Sequence, residues 1–548
     1  MGSYCIGIDT GGTYTDAVLI DTQTRTVIHW AKETTTHHDL GIGVGRALEN
    51  LLNKGVSPGD VTQLAVSTTL ATNAIVEGRG ARVGLFVFGY VRHFKLPIIA
   101  NIFLKGGHKI TGEEDEPLDI EGLVDTIQGL KDEVDSYAVC GAMAIKNPAH
   151  ELVAEEAISM LDPKPVFCSH KVSDHPGMRA RAATACLHAK LMPLMVGFLS
   201  SIQLCMLKLQ INCPVTIICG NGRGANLDQA VERAAVTMAS GPAATASFGC
   251  TAGEPTALIV DVGGTTTDVC MIREGRPVLN KEGCLIGQWQ THVEAIDMFT
   301  AGGGGDSHVI CSPENQITLQ TTRVQPLAMT PDLPDPAGWL GFGLKSSIIL
   351  PVAGLDRTII AEDEILTRLQ QGPASPQVLA AETSLSGVVL EKRLEQLVYL
   401  QQIQMIGFTP TDALHVLGKL DIGNSAQAEA GAIILSSALG LDVPTFCQQV
   451  IHTTEKTIET IILDYLSRKI WPDNQGAPFL NRRDNELFAL HFAVKIPIIG
   501  IGAAARSFLP GVAENLRTTV SFPDHYEVGN AIGAALIGME EKGHHENK

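Results

Sequence analysis

The sequence predicts an α/β protein built from two similar halves, the second interrupted by a helical insertion. Three observations carry this prediction. An eight-residue motif occurs twice with matching flanks, and each copy opens a strand-rich segment. Helix and strand patterns then alternate, as in layered α/β folds. Between 363 and 491 the apolar spacing turns helical.

The repeat is Asp9-Thr10-Gly11-Gly12-Thr13-Tyr14-Thr15-Asp16, which returns as Asp261-Val262-Gly263-Gly264-Thr265-Thr266-Thr267-Asp268. Each copy sits between two short apolar runs, Tyr4–Ile8 and Ala17–Ile20 in the first, Ala257–Val260 and Val269–Ile272 in the second. An apolar run, a Gly-Gly turn and a second apolar run specify a β-hairpin. After the first hairpin the patterning predicts a third strand near Thr26–Lys32, a helix near Gly41–Lys54 and a strand near Gln63–Ser67. A helix near Leu70–Glu77 and a strand near Val83–Phe88 follow. A second such segment begins near Pro255. Helical spacing then covers Leu385–Met405, a helix opens at Thr411-Asp412, and Ala426–Leu439 and Val443–Leu466 continue it. Strand character returns at Val494–Gly502. The expected organisation is therefore a first domain over 1–239, a second over 240–362 and 492–548, and the insertion over 363–491.

Composition narrows the function. The chain has 548 residues, a formal charge of −19, 45% hydrophobic and only 18% charged residues. That is ample material for large cores. The acidic balance argues against nucleic acid or a membrane surface as partner, since both need basic patches. No apolar run of about 18 residues is evident, so no transmembrane helix is expected. Met1–Asp9 runs straight into a strand with no signal-peptide pattern. The twelve cysteines contain no Cys-x-x-Cys pair and read as reduced, buried thiols of a cytoplasmic protein.

In so acidic a chain, a phosphate site must rest on backbone dipoles, a metal or a few placed cations. The Gly-Gly turns supply the first. Their N–H groups are unshielded by Cβ, so phosphate oxygens can approach Gly11, Gly12, Gly263 and Gly264, with Thr13, Thr15 and Thr265 adding hydroxyl donors. The leading carboxylates, Asp9 and Asp261, repel phosphate directly but can act through Mg²⁺, which prefers carboxylate and phosphate oxygens. One of them would also orient an attacking water. Two such hairpins facing each other would hold one triphosphate. A single copy is weak, because tight hairpins use Asp and Gly for structural reasons. Two matched copies are strong.

With these residues in view, the doubled turn resembles the actin, hexokinase and Hsp70 superfamily. More closely, the chain resembles the A-type subunit of the hydantoinase/oxoprolinase family. The resemblance lies in Ile6–Asp21, Ser67–Gly84, Ser240–Ala246, Ile259–Asp268, Asp297–Asp306 and Phe408–Asp421. It implies duplicated ribonuclease-H-like (actin/hexokinase-like) domains around a nucleotide cleft that takes ATP and Mg²⁺. Pro497–Arg506 resembles the superfamily's adenosine-side motif, which points to Gly500, Gly502 and Ala503. Gly529–Ala535 and Ser240–Ala244 resemble its two closely crossing hinge-side helices; ordinary close packing is the alternative. The four glycines before Asp306, among them Gly302, Gly303 and Gly304, are expected to cover a ligand.

Family members use ATP to open cyclic amides such as 5-oxoproline and hydantoins, or to activate ketones for carboxylation. The resemblance thus implies a hydrolase subunit that phosphorylates a cyclic amide or imide at its carbonyl oxygen and works with a B-type partner subunit. A homo-oligomer is compatible with the sequence. On the substrate side, Thr69 and Asn73 would place a hydroxyl and an amide at the cleft floor, unless Thr68 or Thr69 simply caps a helix. Arg223, after the strand Val215–Cys219, would meet a carboxylate or phosphate, unless it tips a surface turn. Three departures separate the chain from the family pattern. Met298, Phe299 and Thr300 follow Asp297 where a His is usual, Gly112–Asp119 is unusually acidic, and the chain is shorter than many A-type subunits. His37-His38 and His544-His545 read as solvated rather than metal-binding. Two other readings fit the same superfamily: an ATPase that reactivates a partner enzyme, and a small-molecule kinase.

Overall fold

The structure is a computed structural model. It describes all residues except 1, 13, 37–38, 77, 90–92, 173–174, 281–282, 284, 287–288, 313, 315, 331–332, 353, 422, 472–489 and 547–548. Thr13 and His37-His38 therefore lie outside the described residues. The chain forms two compact units. The first comprises Met1–Phe248, Pro277–Asp297 and Asn530–Lys548; the second comprises Gly249–Arg276 and Met298–Gly529.

In the first unit, β1 (Tyr4–Thr10) and β2 (Tyr14–Asp21) form the predicted hairpin, with Asp9 opposite Asp16 and Thr10 opposite Thr15. The third strand, β3 (Val27–Thr34), lies antiparallel to β2. Helix α1 (Leu40–Leu52) is capped by Asp39, whose side chain accepts from the Gly41 N–H. Then β4 (Val61–Thr68) pairs in parallel with β1, and α2 (Leu70–Val76) follows directly. Apolar residues of β1, β2, β4 and α1, such as Ile6, Ile8, Leu19, Leu48 and Val66, are fully buried in one core. Each predicted element from Thr26 to Phe88 is present with its ends moved by a few residues, the usual uncertainty at element ends.

A smaller, wholly parallel sheet follows. It consists of β5 (Val83–Phe88), β6 (Ala100–Leu104), β7 (Ser136–Gly141) and β8 (Val166–Cys168), in the order β6-β5-β7-β8. Helices α3 (Ile120–Leu130) and α4 (Ala149–Leu161) add Leu123, Ile127, Ala154 and Ile158 to its core. Next comes α5 (Met178–Lys208), 31 residues long. It corrects one expectation, because by length and composition α5 is apolar enough to cross a membrane. One such helix is weak evidence for a membrane span, since core helices pass the same test; residues 181–189 of α5 are all buried, but only 33% of its most apolar stretch is. Strands β9 (Val215–Ile218) and β10 (Gly224–Ala225) complete the first sheet, in the order β10-β9-β4-β1-β2-β3.

Residues 240–248, 277–297 and 530–548, expected with the second half, group with the first unit. Close backbone contact explains the first and last of these. A Cβ on Gly533 would sit 1.8 Å from the Ala244 carbonyl oxygen, and one on Gly7 would sit 2.1 Å from that of Ala531. The helices Ser240–Cys250 and Gly529–Glu546 thus cross closely, as their small residues predict, and the second lies directly on β1.

The second unit repeats the hairpin as β11 (Thr256–Val262) and β12 (Thr266–Arg273), with Asp261 opposite Asp268. The strand Met298–Gly302 pairs with β12, and Ile498–Ile501 lies parallel to β11. The insertion is mostly helical but contains a strand. The predicted helix over Leu385–Met405 ends at Tyr399, and Ile403–Gly407 pairs antiparallel with Ser347–Pro351. Buried Ile403 and Ile406 are three residues apart, a spacing that reads as helical over so short a run, the known ambiguity of short apolar segments. Helices Ser425–Ala438 and Val443–Ile470 match the expectation closely.

His188 sits in the middle of the first unit's core. Its ring stacks on Phe167 at 4.1 Å, and its Nδ1 accepts from the Ala235 N–H at 3.1 Å. Burial pushes its pKa down to about 3. The unfolded chain, with an ordinary histidine near 6.5, takes up the proton first. The stability tied to neutral His188 is therefore complete above pH 6.5 and is lost as pH falls toward 3, by about 1.4 kcal/mol per pH unit. Urea unfolding at pH 7.5, 5.5 and 4.5 should show this loss below pH 6.5 in the native chain and a smaller one in His188→Phe.

Candidate phosphate-binding hairpins

In the first unit, the Gly11 N–H closes the turn on the Tyr14 carbonyl at 3.0 Å. The N–H of Gly12 has no acceptor among the described residues, and Gly12 is exposed. This amide is available to a phosphate oxygen. Thr15 lies behind the turn instead. It is buried, and its hydroxyl meets that of Thr35 at 3.1 Å, while Thr35 donates to the Gly11 carbonyl at 2.9 Å. Thr15 thus braces the turn from the inside.

Asp9 ends β1 at the mouth of this turn and is 5% exposed. Its Oδ1 accepts from Ser67 Oγ of β4 at 2.6 Å, and its Oδ2 accepts from Asn530 Nδ2 at 3.4 Å. Asn530 is itself bonded to Thr245. Three parts of the chain distant in sequence therefore hold one carboxylate. Burial pushes the Asp9 carboxyl above its ordinary range, against these two hydrogen bonds. Opposite it, burial raises Asp16 to about 6, partly offset by Lys32, whose Nζ lies 2.6 Å away. A buried carboxylate whose protein partners are donors, at a turn with a free amide, has the chemistry of a divalent-cation ligand.

Thr69 and Asn73 also reach this turn. The Thr69 N–H and hydroxyl both donate to the Thr10 carbonyl, at 3.0 and 3.3 Å, and Asn73 Nδ2 donates to Thr69 Oγ1 at 3.1 Å. A Cβ on Gly12 would lie 3.7 Å from Asn73 Nδ2. Thr68 caps α2 by accepting from the Leu70 N–H, so capping and site placement fall to adjacent residues. Arg223 is exposed at the β9–β10 turn, on the same sheet edge as Thr10. Arg223 stands on the β10 side of that turn, with β9 and β4 between it and β1, so the fold does not bring it to the hairpin.

In the second unit, the Gly263 N–H closes its turn on the Thr266 carbonyl at 3.0 Å. Those of Gly264 and Thr265 have no acceptor among the described residues. The four-glycine run packs against the back of this turn. The N–H groups of Gly303, Gly305 and Asp306 donate to the carbonyls of Thr265, Gly263 and Gly264, at 3.1, 3.1 and 2.6 Å. The Gly304 N–H goes to Ser307 Oγ, and Gly302 pairs with Thr266. These amides are engaged within the protein, so the run buttresses the turn where a covering loop was expected. A Cβ on Gly304 would fall 2.4 Å from the Gly263 carbonyl oxygen.

The Asp306 side chain lies against Gly264, whose own Cβ would clash with it at 2.4 Å. Arg323 lies 3.4 Å from Asp306, and burial still raises its pKa. Thr411 donates to the Gly305 carbonyl at 2.8 Å. Gly502 sits against Asp261 with φ +92°, where a Cβ would come within 2.2 Å of Asp261 Oδ1. Ala503 next to it is exposed, whereas Gly500 is buried beneath the Phe522 ring. Of the three residues expected from the adenosine-side motif, the structure brings Gly502 and Ala503 to the turn and assigns Gly500 to the core.

Ser67, Gly241 and Asn530 around Asp9, and Asp306 and Thr411 around the second turn, escaped sequence reasoning. All five lie inside stretches that carry the family resemblance, or in the Gly529–Ala535 helix. Their neighbours with more obvious chemistry drew the assignment.

This architecture, two α/β units each opened by an Asp-Gly-Gly hairpin, defines the actin/hexokinase-like class. A nucleotide-free acetone carboxylase structure aligns with 98% of this chain and 70% of its own, at 17% identity and a TM-score of 0.66. The ATP-dependent caprolactamase of Pseudomonas jessenii aligns with 97% of this chain and 70% of its own, at 21% identity and a TM-score of 0.61. The sequence matches the hydantoinase/oxoprolinase N-terminal region over residues 5–161 and the hydantoinase/oxoprolinase model over residues 181–469. The chain belongs to the hydantoinase/oxoprolinase family. Among curated relatives, the caprolactamase subunit alpha of Pseudomonas jessenii is 27% identical over 345 residues, 56% of this chain and 48% of the relative. The acetophenone carboxylase gamma subunit of Aromatoleum aromaticum is 27% identical over 360 residues, 55% of this chain and 47% of the relative. The chain spans about half the length of the curated relatives it matches.

The glycine contacts lead to a graded outcome. Gly304→Ala and Gly502→Ala should each lower stability by roughly 1–3 kcal/mol, because backbone or Asp261 must move. Gly129→Ala, in α3 with nothing within 4 Å, should raise it by up to about 1 kcal/mol. Calorimetric unfolding of the three variants checks the order.

Proposed function

We propose that this chain is the ATP-using subunit of a cytoplasmic enzyme that opens a cyclic amide or imide of the hydantoin or 5-oxoproline type. The observation that carries the reading is the pair of matched hairpins, each with a carboxylate at its mouth and unbonded turn amides, in a member of this family. Gly12 in the first hairpin, and Gly264 and Thr265 in the second, offer turn amides to nucleotide phosphate oxygens. Asp9 and Asp261 would hold Mg²⁺, which neutralises phosphate charge when bound. Transfer of phosphate to the amide carbonyl oxygen removes the resonance that protects the bond and creates a leaving group. Preset turn amides, together with the cation that the carboxylates would hold, would stabilise that moving charge by position rather than covalent chemistry. Thr69 and Asn73, bonded to the first turn, are the expected substrate-side polar groups. The relatives are named as subunits, which supports a B-type partner chain for this protein.

Two experiments test the reading. Asp9→Ala and Asp261→Ala should each abolish Mg·ATP binding or turnover while circular dichroism stays native; unchanged affinity and turnover in both would overturn the hairpin assignment. The native chain, with and without a B-type partner, should release ADP in step with ring opening when given hydantoins, 5-oxoproline or related lactams. Slow turnover that ignores lactams and responds to a protein partner would instead identify a remodelling ATPase. Stoichiometric phosphate on a stable product would identify a kinase.

A further inference from the structure

The first unit contains a second charged locus, on the smaller sheet and apart from the hairpin. Arg181, in the first turn of α5, is fully buried. Its Nη2 donates to the carbonyl of Gly141, the last residue of β7, at 2.9 Å. Its Nε and Nη1 are buried and have no hydrogen-bond partner. Among the described residues no carboxylate lies within ion-pair distance of it. Glu151, the nearest candidate through Gly141, is fully engaged elsewhere. It accepts from the Gly141 N–H, Ser169 Oγ, the His170 N–H and His170 Nδ1 at 2.6–2.9 Å.

A guanidinium stays charged at any pH a folded protein tolerates, so it cannot escape this burial by losing its proton. An uncompensated buried charge is strongly destabilising. The surroundings add to the excess of positive potential. Helix α5 starts at Gly177 with no side-chain cap and no acidic residue in its first turn, which carries Arg179 and Arg181. That end of a long helix is already positive and favours anions. Side chains on a helix lean toward its N-terminus, the end of α5 that carries Arg181. His292 lies there too, as a neutral ring whose pKa is pushed down by burial, His175 and Arg181. Its ring approaches Gly177 and meets the ring of His175 at 5.5 Å, and its N–H donates to Thr184 Oγ1, one turn beyond Arg181. Gly141 lies at the carboxyl edge of a wholly parallel sheet, where open α/β sheets bind ligands.

We propose that Arg181 and the N-terminus of α5 form an internal site for a small oxyanion of the carboxylate, bicarbonate or phosphate class. The anion completes the hydrogen bonding of Nε and Nη1 and supplies the counter-charge that no described residue provides. The site is independent of the hairpins and stands or falls without them.

The test is calorimetric titration of the full chain with acetate, bicarbonate or inorganic phosphate at constant ionic strength against chloride, with ADP present to occupy any nucleotide site. The expected result is saturable binding of at least one anion, weakened at least tenfold in Arg181→Met. A preference for acetate or bicarbonate over phosphate identifies a planar site, and the reverse a tetrahedral one. ADP binding should be unchanged in the variant. Should Arg181→Met not fold, Arg181→Lys keeps the charge but not the planar donor set, and should weaken binding by a similar factor. A native crystal soaked in selenate should also show an anomalous peak beside the guanidinium. No saturable binding above chloride, equal binding by a folded variant, or no peak there would each overturn the site and leave water as the partner of Nε and Nη1.

Discussion

The organisation of both units depends on backbone approaching closer than any side chain permits. In the first unit the C-terminal helix lies on β1 through Gly7 and on the helix at Ser240 through Gly533. That contact brings Asn530 to Asp9. In the second unit Gly304 lies on the carbonyls of the turn and Gly502 lies on Asp261. Each contact is made possible by an absent Cβ, and each places a polar group that the turn needs. The glycines therefore act less as flexible points than as spacers of zero thickness.

Charge follows from the same geometry. A chain with a net charge of −19 cannot attract phosphate by its overall field. It has to do so locally, with oriented amides at the turns and with carboxylates that recruit a cation. Asp9 is buried enough for its ionised form to be disfavoured, and the donors around it oppose that tendency. Asp306 shows the same balance, between burial and the Arg323 and Thr411 side chains. A cation bound beside such a group would favour its ionised form.

Much of this was legible in the residues. The hairpins, their internal match and the order of helix and strand through Phe88 follow from periodicity and turn chemistry, which are local properties. The family resemblance located the four-glycine run and the segment at Thr69. What local reading could not give was the partner of each polar group. Ser67 is 58 residues from Asp9 and Asn530 is 521 away, and nothing in either segment announces a shared carboxylate. The same limit applies to the amides of the glycine run, which looked available to a ligand and are taken by the turn. It applies also to the strand at Ile403–Gly407, whose pairing partner lies more than 50 residues earlier and only becomes adjacent on folding.

The insertion has a consequence for how this family can be recombined. Its longest helix, Val443–Ile470, passes beneath Gly303, with Thr457 where a Cβ on that glycine would be 2.9 Å away. Thr411, at the start of another insertion helix, holds the carbonyl of Gly305. The second hairpin is thus upholstered by residues that arrive more than a hundred positions later. The insertion is no detachable accessory. Exchanging it between relatives would transplant the floor of the second turn along with it, and a chimera that keeps the hairpin but changes that floor would inherit a turn of altered shape.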